Sequence, residues 1–148
     1  MRRTPLQRKT PLKQAAPKRS HRGTGPAQDV VDAVYERAGH SCEACTAAVG
    51  PVRGLDHHLH HRRPRAAGGS RREDTNLPSN LLLLCPPCHE RIESRRGEAL
   101  DAGWLVPQSA DPAEVAVLIR RDTWTYLTAD GRYHAHPPRW REKGKSDA

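Results

Sequence analysis

The sequence predicts an α+β fold with an N-terminal helix, a ββα unit and a C-terminal β-hairpin. Three patterns indicate it: helical apolar spacing near residue 30, a run of four leucines followed by two prolines, and apolar–polar alternation after residue 114. The chain has 148 residues, enough for one domain with a modest core. Because only 35% of residues are hydrophobic and none is Phe, this core needs an additional cross-link.

The four cysteines supply that cross-link. They form two C-x2-C pairs, Cys42 with Cys45 and Cys85 with Cys88. This spacing is typical of a structural zinc site, with a redox or iron site as the alternative. No apolar run follows the opening "MRRTPLQRKT", so we expect no signal peptide and no membrane partner. We therefore expect a cytoplasmic location, where the thiols stay reduced.

The positive charge is concentrated at the N-terminus. The net charge is +8, and the first 28 residues contain eight Lys or Arg and no acidic residue. Residues 1–27 also contain four prolines, which predicts a basic disordered arm. Such arms bind polyanions, most often nucleic acid, and the alternative is a solubilising tail.

The N-terminal helix is predicted by a single apolar face. Asp29 is its expected N-cap and Gly39 its expected end. The face consists of Val30, Val31, Val34 and Ala38. The helix leads the chain to the first cysteine pair.

The ββα unit follows. The stretch "VRGLDHHLHHR" is compatible with a strand, and Pro64 prevents it from continuing as a helix. "NLLLLC" predicts a short buried strand. A helix is expected to begin at Pro86–Pro87, with Ile92, Ala99 and Leu100 at helical spacing.

The sequence predicts a β-ribbon over residues 114–136, in the C-terminal part of the chain. Its turn is expected at Asp130–Gly131, and the ribbon either packs on the domain or extends its sheet. The predicted domain (28–108) is thus followed by a hairpin extension (109–137) and a polar tail (138–148). Trp104 is expected in the core, whereas Trp124 and Tyr126 either pack or stack on a base.

One ordered set of residues resembles a known family. It consists of His60–His61, Pro64, Gly68–Gly69, Asn80–Leu81 and the "CPPCH" stretch ending at His89. Their spacing resembles that of the HNH (His-Asn-His) endonucleases, or ββα-metal nucleases, in the branch with four zinc-binding cysteines. The resemblance covers about Cys42 to Leu100 and implies a zinc-stapled ββα-metal domain that hydrolyses DNA. The arm "RRTPLQRKTPLK" is similar to arms in phage-encoded members, which implies a phage or prophage origin in a bacterial host and a packaging partner such as a terminase.

The resemblance also implies residue roles. His61 would be the general base, His60 and His89 would hold a catalytic divalent ion, and Asn80 would organise the loop after the first strand. Glu93, four residues after His89, is either a further ligand or a solvated side chain. The predicted phosphate contacts are Arg62, Arg63 and Arg65.

Elementary chemistry is consistent with these roles. A neutral histidine, with an ordinary pKa of roughly 6.5, can accept a proton from water near neutral pH. Neighbours on a strand point to opposite faces, which favours dividing the roles of His60 and His61. Many family members have Asp where this chain has His60. A nitrogen ligand there shifts the expected ion from Mg²⁺ toward Mn²⁺, Ni²⁺ or Zn²⁺.

Other interpretations remain at this point. His57 and His58 precede the motif and are expected to be strand and surface residues. The chain is alternatively a catalytically weak, zinc-stabilised DNA-binding or packaging accessory module, or an RNA-processing nuclease. The joint presence of His61, Asn80 and His89 favours an enzyme over the accessory module. Double-stranded DNA is the expected nucleic acid, and nothing in the sequence excludes RNA.

Overall fold

The structure, a computed structural model, describes residues 25–65, 70 and 72–137. Its helices are α1 (Gln28–Ala38), α2 (Pro86–Ser94) and α3 (Arg96–Asp101). Its strands are β1 (His58–His61), β2 (Leu81–Leu84), β3 (Val117–Ile119), β4 (Thr123–Leu127) and β5 (Tyr133–His134). The predicted α+β class is confirmed. Most of the predicted arm, the Gly68–Gly69 pair and the predicted tail lie outside the described residues.

No helix within the described ranges is long and apolar enough to cross a membrane.

Helix α1 ends where the sequence predicts and begins two residues earlier than expected. Gly39 adopts the left-handed conformation at its C-terminus, with φ of 60°. The N-cap position is occupied by Ala27, with no side-chain capping hydrogen bond, so the predicted Asp29 cap is wrong. Asp29 lies in the first turn instead, where its negative charge still favours the positive end of the helix dipole.

Strands β1 and β2 form an antiparallel pair that is covered on both faces. Leu59 lies opposite Leu83, and His60 lies opposite Leu82. Leu59 and Leu83 pack with Val34 of α1, whereas Leu82 belongs to the larger core on the other side. This two-sided burial explains why β2 is leucine throughout instead of alternating with polar residues.

The helical segment after β2 begins as predicted and is divided in two. Pro86 occupies the first turn of α2, where the missing N–H of proline costs no helical hydrogen bond. Arg95 has φ of −123° and ψ of 64°, which is not helical and separates α2 from α3. Ile92 and Ala99 are buried as predicted, but Leu100 is 47% exposed because α3 starts with a new helical phase.

The C-terminal segment is a three-stranded antiparallel sheet in the order β3-β4-β5. The turn at Asp130–Gly131 joins β4 to β5 as expected, and Gly131 has φ of 81°. Strand β3 pairs with the other edge of β4, so the predicted hairpin gains a third strand. This sheet packs on the domain and does not extend β1–β2, since Val117 and Leu127 share a core cluster with Leu82.

The buried side chain of Glu43 connects three of these elements. Its carboxylate forms an ion pair of 2.9 Å with Arg37 of α1, and both side chains are 1% exposed. It also accepts hydrogen bonds from the Leu83 N–H at 2.8 Å and the Tyr133 hydroxyl at 2.7 Å. Glu43 therefore holds α1, β2 and β5 together through one charged centre.

Candidate functional site

The four cysteines form one cluster at the edge of the larger core. Their sulfur atoms all lie within 4.8 Å of one another, and the Cys45 and Cys85 sulfurs are 3.7 Å apart. A tetrahedral zinc ion with Zn–S bonds of about 2.3 Å would place its sulfurs about 3.8 Å apart. None of the four is in a disulfide. The cluster is therefore suited to a structural zinc ion, as predicted.

Burial makes two of these thiols, Cys42 and Cys88, poor acids while no cation is bound. It raises the pKa of Cys42 to about 11, and it also raises the pKa of Cys88. Zinc binds the thiolate form, so binding would release protons and would stabilise only the folded arrangement. Since Cys42 and Cys85 belong to the larger core cluster, zinc at this position would stabilise the fold.

A second cluster lies between β1 and α2. His60 comes from the strand, and His89 and Glu93 come from adjacent turns of the helix; their donor atoms lie within 4.8 Å of one another. The His60 and His89 rings are steeply inclined, with planes 75° apart and centroids separated by 5.5 Å. The Glu93 side chain is 54% exposed, whereas that of His60 is 4% exposed. The cluster is therefore anchored in the core and open to solvent at one side.

The surroundings of His60 fit a metal ligand. Its Nε2 lies 3.1 Å from the Trp104 carbonyl oxygen and donates to it, which leaves the lone pair on Nδ1. That Nδ1 lies 3.9 Å from the Glu93 carboxylate. Burial lowers the pKa of His60 to about 4, so the ring is neutral at pH 7. A carbonyl that fixes the tautomer in this way is a common partner of a ligating histidine.

His61 points to the opposite face of β1 from His60, as expected for neighbours in a strand. Its Nε2 lies 2.9 Å from Arg65 Nη2 and 3.1 Å from Asn76 Oδ1. Burial lowers the pKa of His61, the Asn76 contact opposes this shift, and the Arg65 charge adds to it. The imidazole is therefore neutral at pH 7, and its Nε2 accepts a hydrogen bond from Arg65. Asn76 Oδ1, which also accepts from Arg65, can accept from Nε2 only when Nε2 carries a proton.

The buried Asn80 side chain links two segments around His61. Its Oδ1 accepts from the Arg63 N–H at 2.7 Å, and its Nδ2 donates to the Thr75 carbonyl at 2.8 Å. One bond holds the residues that follow β1, and the other holds the turn that precedes β2. Asn80 is therefore placed where it can fix the conformation of the chain next to His61.

Two of the three predicted phosphate contacts are buried. Arg62 is fully buried, and its guanidinium donates to the carbonyls of Gly103, Pro112 and Val115, each at 2.8 Å. Burial lowers the pKa of Arg62 to about 9. Arg63 is 3% exposed and is paired with Asp74.

This burial corrects the prediction for Arg62 and Arg63. Their guanidinium groups are committed to protein acceptors and have no surface from which to reach a phosphate. Arg65 differs because it is partly exposed and lies against His61. Of the three arginines, Arg65 alone keeps a position suited to phosphate.

Of the two histidines expected to be strand and surface residues, His58 lies on β1 and is partly exposed, whereas His57 is buried. His57 is fully buried; its Nδ1 bonds the Gly50 carbonyl at 2.8 Å, and its Nε2 contacts the Tyr35 hydroxyl. His58 stacks on His89, with ring centroids 4.4 Å apart and planes 18° apart. The expectation was therefore wrong for His57, and it overlooked the contact of His58 with the second cluster. The i, i+2 spacing of His58 and His60 on a strand was the signal for that contact.

Comparison with protein families gives a match to part of the chain. Residues 42–95 match a family model described as HNH endonuclease. The matched range includes the four cysteines, the second cluster, His61 and Asn80. No curated protein and no solved structure matches the chain.

Proposed function

We propose that this chain, which carries an HNH endonuclease domain at residues 42–95, is a metal-dependent enzyme that hydrolyses phosphodiester bonds of double-stranded DNA. The family implies a nucleic-acid substrate. The observation that carries the enzymatic proposal is the cluster of His60, His89 and Glu93, together with the neutral His61 that follows His60 on β1. A binding module has no need for both a half-open metal cluster and an unprotonated histidine on the next residue of the strand.

The second cluster would hold the catalytic divalent ion through His60 Nδ1, His89 and Glu93. An ion there supplies positive charge to the phosphate and to the departing 3′ oxygen. With two nitrogen donors and one carboxylate, the set favours Mn²⁺, Ni²⁺ or Zn²⁺ over Mg²⁺. The Trp104 carbonyl keeps His60 Nδ1 directed at the site.

His61 would remove the proton from the attacking water through Nε2. In the structure this nitrogen accepts from Arg65. A phosphate oxygen carries more negative charge than a neutral imidazole, so bound substrate would draw the Arg65 guanidinium away from His61. The same movement binds the phosphate and frees the Nε2 lone pair, while Asn80 holds the backbone after β1 in place.

The charge distribution supports a polyanionic substrate. The eight basic residues among the first 28 offer phosphate contacts without sequence readout. Double-stranded DNA is our choice because the HNH resemblance points to it. The cytoplasmic location, the phage or prophage origin and a terminase partner remain predictions from that resemblance.

The test is cleavage of supercoiled plasmid by the full chain with Mg²⁺, Mn²⁺, Ni²⁺ or Zn²⁺ added in turn. We expect nicked or linear product that EDTA abolishes. His61→Ala should slow cleavage by at least about 100-fold, the usual contribution of a general base. His134→Ala is the matched control, because His134 is an exposed histidine of the C-terminal sheet.

Three results would contradict the proposal. Cleavage by His61→Ala at the parental rate would remove His61 as the base. DNA binding without cleavage under every ion would favour the accessory module. Cleavage confined to RNA, measured on a matched transcript, would favour the RNA-processing alternative.

A further inference from the structure

We infer that His58 is a positioning residue of the second metal site, which holds the His89 imidazole in its ligating orientation by ring stacking. The inference rests on the proposed function, since it concerns the same ion. His58 and His60 lie two residues apart on β1 and therefore share the face that α2 covers. The His58 and His89 rings are almost parallel, with centroids 4.4 Å apart and planes 18° apart.

This geometry excludes His58 as a partner ligand of the same ion. The lone pair of an imidazole nitrogen lies in the ring plane, and the ion sits about 2.1 Å away along it. Two rings stacked face to face direct their lone pairs along parallel planes that do not meet at one ion. The His60 and His89 planes cross at 75°, so the lone pairs of those two rings can converge.

His89 needs such support more than His60 does. His60 is buried and is oriented by the Trp104 carbonyl. Within the described part of the chain, the His89 ring stacks on His58 and meets His60 at a steep angle, and it forms no hydrogen bond. It projects from the first half of α2 and is partly exposed, so it can rotate about its side-chain bonds. Stacking on His58 therefore takes the place of the hydrogen bond that usually orients a ligating histidine.

The test measures Ni²⁺ binding to the zinc-loaded full chain by isothermal titration calorimetry, independently of cleavage. We expect His58→Ala to weaken Ni²⁺ binding about tenfold, as loss of a supporting partner typically does. His58→Phe keeps a flat ring without a nitrogen and should stay within about threefold of the parent. His58→Val is a second ring-free variant suited to a strand. Zinc content and the thermal midpoint monitor the fold of each variant.

The outcomes separate this inference from the proposed function. A parent that binds no Ni²⁺ beyond the zinc site would refute the second metal site itself. A parent that binds Ni²⁺, with ring-free variants that bind equally well, would refute the positioning role alone. Equal weakening by Phe and Ala would show that a ring nitrogen is needed and would also overturn the inference. Loss of zinc from both ring-free variants would also overturn the inference, because the His58 ring would then be needed for folding and not for orienting His89.

Discussion

The two clusters differ in burial and in ligand set although they share one helix. Cys88 and His89 are adjacent on α2, and successive helical residues point about 100° apart. Cys88 turns toward the cysteine cluster beside the larger core, and His89 turns toward β1 and the half-exposed Glu93. Four thiolates complete a zinc site and leave no ligand position open, whereas two imidazoles and a carboxylate leave room for substrate. We therefore expect burial and completeness of the ligand set to distinguish a structural metal site from a catalytic one.

The largest expected effect comes from changing the two neighbours on α2 separately. Cys88→Ser should release the structural zinc and unfold the domain, because the modest core depends on this cross-link. His89→Ala should retain about one zinc ion per chain and a cooperative unfolding transition, yet lose Ni²⁺ binding and plasmid cleavage. Zinc content, circular dichroism and calorimetry measure the three properties. A folded, metal-free Cys88→Ser protein would show that the cysteine cluster is not needed for folding and would contradict this difference between the clusters.

An intermediate effect is expected at the buried Glu43. Glu43→Gln removes the charge that compensates Arg37 and should lower the free energy of unfolding by about 3 kcal/mol. Urea denaturation measures this change, and Glu36→Gln on the exposed side of α1 is the matched control. Zinc content should stay unchanged in both variants. An effect of Glu43→Gln no larger than that of Glu36→Gln would show that hydrogen bonding alone accounts for this centre.

The smallest effect is expected at Glu93, the exposed member of the second cluster. Glu93→Gln should weaken Ni²⁺ binding about tenfold while leaving the thermal midpoint of the ion-free protein unchanged. The comparison with Glu43→Gln is direct, since the same chemical change acts on stability at one glutamate and on ion affinity at the other. Unchanged Ni²⁺ affinity would identify Glu93 as a solvated side chain.

Much of the fold was predictable because its signals are local. The prolines at the start of α2, the leucines of β2, Gly39 and the Asp130–Gly131 turn each act within a few residues. Strand β3 was not predicted as a separate strand, because its pairing with β4 depends on contacts between two segments and not on a local sequence signal. The N-terminus of α1 was misplaced by two residues, since acidic residues such as Asp29 are favourable at several positions of a first turn.

The sequence alone determined which residue types could bind metal and in what order they occur. The C-x2-C pairs, the strand position of His60 and the i, i+4 spacing of His89 and Glu93 were sufficient for that. Tertiary structure alone decided which charges are buried. Arg62 was predicted to contact phosphate, but it donates to carbonyls 41 to 53 residues further along the chain. Whether an arginine side chain is exposed to solvent or donates to a distant carbonyl depends on how separate segments pack. The spacing of residues along the chain does not predict that packing.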